Sequence, residues 1–314
     1  MTRAGLRGAL MRKGVREGVR QDLPEHLPEG VSRGPRWRAR WCWCWRRRLV
    51  GLPIAAALAT AQAAETQAPL WELGFGAAGL QLPHYRGSEQ SRNWLLPLPY
   101  AIYRGQYLRA DREGARAVLL EGRTLEIDLS AAGSAPTRSD DNRARQGMPD
   151  LAPTFEVGPN ANLTFARGAD WKVELRAPVR AAFTLERSPR HVGWSATPYL
   201  TAEWVQAGWD IGVRAGLLWG DRRLHGYTYD VAPAFATPTR TAYRAASGSA
   251  GWQTTLGASR RFGAWWLGGF VRADSVRGAA FEGSPLVTQP QTWSAGIAVS
   301  WVFANSSVMV KVPD

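Results

Sequence analysis

The sequence predicts an all-β protein: a transmembrane, antiparallel, up-and-down β-barrel of about twelve strands. Three observations predict it. Apolar and polar residues alternate over runs too long for ordinary strands. Aromatic residues stand at both ends of the apolar face. Tight connections alternate with long ones. Together they describe strands that face lipid on one side and a polar lumen on the other.

The clearest strand starts at Trp171. Trp171, Val173, Leu175, Ala177, Val179, Ala181, Phe183 and Leu185 form one wholly apolar face. Lys172, Glu174, Arg176 and Arg180 stand on the other. The same alternation recurs over Gly193–Val205, Trp209–Trp219 and Thr292–Phe303. Trp194 and Trp204, Trp209 and Trp219, and Trp293 and Trp301 mark the ends of the apolar faces. Ten residues at ~3.3 Å, tilted by about 40°, rise roughly 25 Å, the apolar height of an outer-membrane barrel. Trp171, Trp194, Trp204, Trp209, Trp219, Trp293 and Trp301 are therefore the candidate membrane-interface girdle, with Phe303 as the closing aromatic.

The remaining strands are read near Leu70–Leu80, Trp94–Tyr103, Gln106–Arg112, Arg116–Leu120, Arg123–Ala132, Thr154–Ala166, Ala250–Phe262 and Ala264–Ala273. The short ones between 106 and 132 leave ten strands as an alternative count. Pro97 and Pro99 fit a bend in an early strand near the rim. Periplasmic turns are expected at Arg104-Gly105, Glu121-Gly122, Arg167–Asp170, Gln206–Gly208 and Gly263. Outward loops are expected at Gln81–Asn93, Gly133–Pro153, Glu186–Val192, Gly220–Ser249 and Asp274–Gln291.

Composition agrees with an exported protein. The chain has 314 residues, 45% of them hydrophobic and 21% charged, which excludes general disorder. The formal charge is +13, but residues 1–63 hold 13 Lys/Arg against 4 Asp/Glu and carry +9 of it. The rest is close to balanced, so a nucleic-acid partner is not expected. Both cysteines, Cys42 and Cys44, lie in that basic preface. Arg46-Arg47-Arg48, the apolar run Leu49–Ala61 and the small-x-small site Ala61-Gln62-Ala63 read as a cleaved secretory signal. The expected organisation is a preface and signal over 1–63, a barrel over 64–303 and a C-terminal tail over 304–314.

Several motifs resemble one family. Trp71–Gly79, His84-Tyr85-Arg86-Gly87-Ser88 and Leu96-Pro97-Leu98-Pro99-Tyr100 resemble the opening of the MltA-interacting protein/OmpV family. Gly147–Leu151 resembles its central acidic motif, and Ser284–Val287 before Gly296–Phe303 its closing strand. The resemblance implies an outer-membrane location. It also implies a scaffold that links a lytic transglycosylase to a penicillin-binding protein in peptidoglycan assembly. Outer-membrane lipid would be the remaining partner.

Candidate chemistry is sparse. The inward-facing charges Lys172, Glu174, Arg176, Arg180, Glu203, Asp210 and Arg214 either pair across a narrow lumen or line a small-solute, anion-preferring channel. The channel is the alternative to scaffolding. His84, His191 and His225 fall in outer loops and carry no hydrolase signature around them, so they read as solvated loop residues. Asp140, Asp141, Asn142 and Asp150 lack the spacing of a Ca²⁺ loop. No enzyme activity, cofactor or metal is expected.

Overall fold

The computed structural model describes residues 67–111 and 114–311. The basic preface and the expected signal sequence lie outside the described residues. Alternation drives the architecture. Each strand buries one face toward the lumen and turns the other outward, and each pairs antiparallel with its neighbours.

The barrel strands are β2 (Trp71–Pro83), β3 (Ser91–Arg104), β4 (Leu108–Asp111), β5 (Gly114–Glu121), β6 (Leu125–Ser134), β7 (Thr154–Arg167) and β8 (Trp171–Thr184). They continue as β9 (His191–Ala196), β10 (Tyr199–Gln206), β11 (Trp209–Gly220), β12 (Gly248–Phe262), β13 (Trp265–Ser275) and β14 (Gln291–Asn305). β14 pairs with β2, and β8 pairs with both β9 and β10, so the sheet closes. β9 and β10 are one strand interrupted at Thr197-Pro198, because both lie between β8 and β11. Pro178 of β8 faces that break, where its carbonyl accepts the Thr197 N–H (3.1 Å). Counted this way the barrel has twelve strands.

The sequence-predicted strands all appear, most within a few residues of their expected limits. Two findings lie beyond the prediction. First, β14 runs past Phe303 to Asn305. The tail does not hang free. β15 (Met309–Lys311) pairs with β1 (Gln67–Pro69), from Gln67↔Lys311 to Pro69↔Met309. Second, the long connections are not simple solvated loops. Tyr85, Leu151, Tyr229, Val231, Phe281 and Leu286 from four of them pack into one buried core. Tyr229 stacks on Phe281 at 3.7 Å between ring centroids.

A helix, α1 (Arg222–Tyr229), lies in the longest loop. Asp221 caps it by accepting the Leu224 N–H (2.8 Å). The capped end approaches β9 at Gly193, whose φ is +134°. A Cβ there would meet the Asp221 carboxylate and the Leu224 amide, so only glycine fits. No helix among the described residues is long and apolar enough to cross a membrane.

Candidate functional site: the barrel interior

The strand pairing sets which side chains meet inside. Lys172, Glu174 and Arg176 of β8 stand opposite Glu203, Thr201 and Tyr199 of β10. Glu174 is the hub. It takes Lys172 (3.1 Å) and Arg176 (3.0 Å), and Arg176 also approaches Glu203 (4.0 Å). Arg214 of β11 lies over the Tyr199 ring at 5.3 Å. Asp210 stands in the same wall, opposite Val205. The predicted inward charges thus gather on one side of the barrel, and most are compensated.

Arg180 differs from the others. Its Nε donates to Ser130 Oγ of β6 over Gly158 of the intervening β7 (3.0 Å), and no carboxylate lies within ion-pair distance of it among the described residues. Glu156 on β7 instead accepts the Ser195 hydroxyl (2.7 Å).

Sequence reasoning missed the early strands' contribution. Arg104 (2.7 Å) and Arg261 both donate to buried Glu72 near the short-turn end. Tyr100, Ile102 and Val302 pack with Trp266 beside them. Together they bury the inner surface of the wall at that end. Higher up, Asp128 accepts from Asn160 (3.1 Å) and Asn162 (2.7 Å), and Asn162 also donates to Glu126 (3.1 Å). The signal for Glu126 and Asp128 was present: they alternate with Leu125, Ile127 and Leu129.

Between that end and the loop core lies a cavity of about 590 Å³. Eight arginines line it, namely Arg86, Arg92, Arg116, Arg138, Arg176, Arg180, Arg214 and Arg272. The acidic residues lining it are Asp128, Asp141 and Glu156. The balance is basic, although Arg86 and Arg272 share Asp274 at 3.1 and 2.9 Å.

The histidines do not form a hydrolytic site. His84 Nδ1 and Ser88 Oγ are each joined to the Asn142 amide (3.1 and 3.0 Å), not to one another. His191 begins β9, where its Nδ1 meets Arg223 (3.1 Å). His225 corrects the expectation of a solvated loop residue. It is 3% exposed, lies edge-on to Phe281, and its Nδ1 meets the Ala246 carbonyl at 2.7 Å. Burial holds its pKa below the usual histidine value, outweighing that carbonyl. Burial likewise pushes the Tyr85 phenol up to about 12.

The acidic loop is also ordered. Asp141 pairs with Arg92 (3.3 Å), Asp150 accepts the Ser139 N–H (2.7 Å), and Arg145 is buried on the Pro149 and Thr228 carbonyls. These residues serve separate partners and do not converge.

Outside, the tryptophans fall into two rows. Trp171, Trp204, Trp209 and Trp301 lie toward the short-turn end, with Trp204 opposite Trp171 and Trp265 opposite Trp301. Trp194, Trp219 and Trp293 lie toward the long-loop end, with Trp219 opposite Ala196. Phe303 is 56% exposed on the same outer face as Trp301.

Comparison with solved structures found barrels of low identity. A bacterial polysaccharide outer membrane secretin aligns at TM-score 0.40 and 9% identity, covering 74% of this chain and 99% of that one. The COG4313 outer membrane channel from Pseudomonas putida F1 aligns at TM-score 0.40 and 13% identity, covering 74% and 96%. A comparison with curated proteins found no match. The family profile described as MltA-interacting protein MipA matches residues 75–303, nearly the whole barrel. The chain, a closed twelve-stranded barrel built on those residues, belongs to the MltA-interacting protein MipA family.

Proposed function

We propose that this barrel is a non-enzymatic interaction protein of the outer membrane whose periplasmic face recruits a murein-processing enzyme. One observation carries the reading. The two ends of the barrel chain pair as β1 and β15 beside the short turns, a two-stranded ladder to which no third strand is added among the described residues. An open edge is a template for strand addition by a partner. The family description points to a lytic transglycosylase as that partner, and a penicillin-binding protein would join as the second enzyme. The short turns offer little area, so the barrel rim would share the contact. The two rows of tryptophans would seat the barrel in lipid, after export through the signal sequence in residues 1–63.

The test is capture of a purified lytic transglycosylase by the protein in nanodiscs. The Leu70 N–H goes to the Val308 carbonyl, so the Met309 N–H points away from β1, and Met309→Pro removes an outer-edge donor opposite Pro69. It should abolish capture and leave the barrel's heat-modifiable gel mobility intact. Undiminished capture by that variant would refute the edge as the docking surface.

The arginine-rich cavity favours a second reading, passage of small anionic solutes. The packed short-turn end opposes it. Wild-type protein should be silent in a planar bilayer, whereas Trp266→Ala should conduct. Steady wild-type conductance would replace the scaffold reading with the channel.

A further inference from the structure

The sheet closes at the short-turn end, but above it the wall between β3 and β6 has no paired strand among the described residues. β3 pairs with β4 only at Tyr103↔Ala110 and Arg104↔Arg109. The last described pair of the β4–β5 hairpin is Asp111↔Gly114. β6 pairs with β5 no higher than Ser130. The upper part of β3, Ser91–Ile102, therefore has no partner on that side among the described strands, and neither does Ala131–Ser134 of β6. Three strand spacings separate β3 from β6, ~14 Å at about 4.8 Å each. The gap has a roof, where Asp141 pairs with Arg92 (3.3 Å).

β3 is built for an open edge. Its Arg104 N–H goes to Leu70 O (2.8 Å), and its Gln90-side carbonyl takes the His84 N–H (3.0 Å). The register between β2 and β3 is unbroken. Even-numbered residues of β3 thus face β2, and odd-numbered ones face the gap. Pro97 and Pro99 are odd. They remove two backbone donors at the positions where no strand would accept them.

The gap leads inward. The arginine-lined cavity touches the gap's own margins: Trp94 of β3, Gly114 and Ala115 at the start of β5, and Ala131 of β6. It also touches Arg180 deep inside. The cavity therefore runs from the basic interior to the unpaired margins of β3, β5 and β6. The margin carries Leu95, 82% exposed, and the small residues Gly114, Ala115 and Ala131.

We infer that this side opening is a binding site for a single-chain amphiphile with an anionic head. The head sits against Arg180, the interior guanidinium that lacks a carboxylate, and the chain passes between β3 and β6 into the lipid. This inference is independent of the periplasmic docking surface, since it uses the other half of the barrel.

The test is displacement of a fluorescent fatty acid from the purified protein in phosphatidylcholine nanodiscs. Dodecanoate should displace it, and dodecyltrimethylammonium and inorganic phosphate should not. Arg180→Gln should weaken dodecanoate about tenfold, the loss of one charged hydrogen bond. Ala131→Trp and Ala115→Trp, which fill the opening from two sides, should abolish displacement while the barrel keeps its heat-modifiable mobility. Two results would overturn the inference: no displacement by dodecanoate, or wild-type affinity in both folded tryptophan variants. Phosphate competing as well as dodecanoate would also overturn it, because the cavity would then take free anions without a chain.

Discussion

Glu72 ties three strands together at the short-turn end, and its removal gives the sharpest test of how that end is held. The residue is 3% exposed. One oxygen accepts from Arg104 (2.7 Å) on β3, and the other accepts from Arg261 on β12. Breaking a fully buried ion pair costs about 3–5 kcal/mol, and an exposed pair contributes about 0–1 kcal/mol. The two arginine side chains are 28% and 43% exposed, so water screens both in part. Arg104 also keeps a second acceptor, the Pro69 carbonyl (2.7 Å). These facts place Glu72→Ala at about 2–3 kcal/mol, below the buried limit and above the surface one. At 1.4 kcal/mol per tenfold, that lowers the folded-to-unfolded ratio by roughly 30- to 150-fold. Urea titration of the membrane-inserted barrel, followed by tryptophan fluorescence and gel mobility, reads the change directly. A midpoint equal to that of the wild type would refute the reasoning. A second cycle sharpens it: on an Arg261→Ala background the same substitution should cost less, because the partners are shared.

Three further outcomes follow from the same structure. Trp219→Asp should reduce refolding into vesicles, since a charge on the lipid face costs up to ~2–4 kcal/mol at the midplane and less near an interface, while Trp219→Phe should insert normally. Gly193→Ala forces a Cβ onto the α1 cap and should cost about 1–2 kcal/mol locally. Trypsin would then cut faster at Arg222 and Arg223 without a shift in barrel unfolding. Acidification should loosen the loop core. Burial lowers the His225 pKa in the folded state, so the unfolded loops bind the proton more strongly. The stabilisation is therefore complete above about pH 6.5 and falls away as the pH drops through the lower folded value. His84, also lowered chiefly by burial, adds in the same direction. Faster loop proteolysis at pH 5 than at pH 7.5, largely flattened in His225→Phe, is the expected result.

The sequence carried the barrel wall because two solvents write on it. Lipid demands Val173, Leu175 and Val179 on one face of β8, and the lumen admits Lys172, Glu174 and Arg176 on the other. No tertiary information is needed to see that period. The loop core is different. Tyr85, Tyr229 and Phe281 come from segments far apart in the chain and have no common period, so their meeting was invisible. α1 has one local sign, Asp221 as a cap, but it forms because His225 and Tyr229 bury against other loops. The β1–β15 pairing was missed for a third reason: its three-residue segments are too short for alternation to register.

The prolines of β3 join these levels. From the sequence they suggested a bend, because a central strand does not tolerate Pro97 and Pro99. The structure gives a fuller reason: among the described strands the residues lie on an unpaired edge, and their missing N–H groups face the gap. An open edge in hydrocarbon is costly, since each unsatisfied backbone group there costs several kcal/mol. Six residues of the stretch Ser91–Ile102 have odd numbers, and Pro97 and Pro99 remove two of the donors. Ser91 and Asn93 stand near the roof set by Arg92 and Asp141, above the deepest part of the wall. The burden then falls mainly on Leu95 and Ala101. A strand simply left short by accident would not concentrate its prolines on the unpaired side. The spacing of Pro97 and Pro99 therefore supports the side opening inferred above, because it lowers the cost of leaving this stretch of β3 unpaired in lipid.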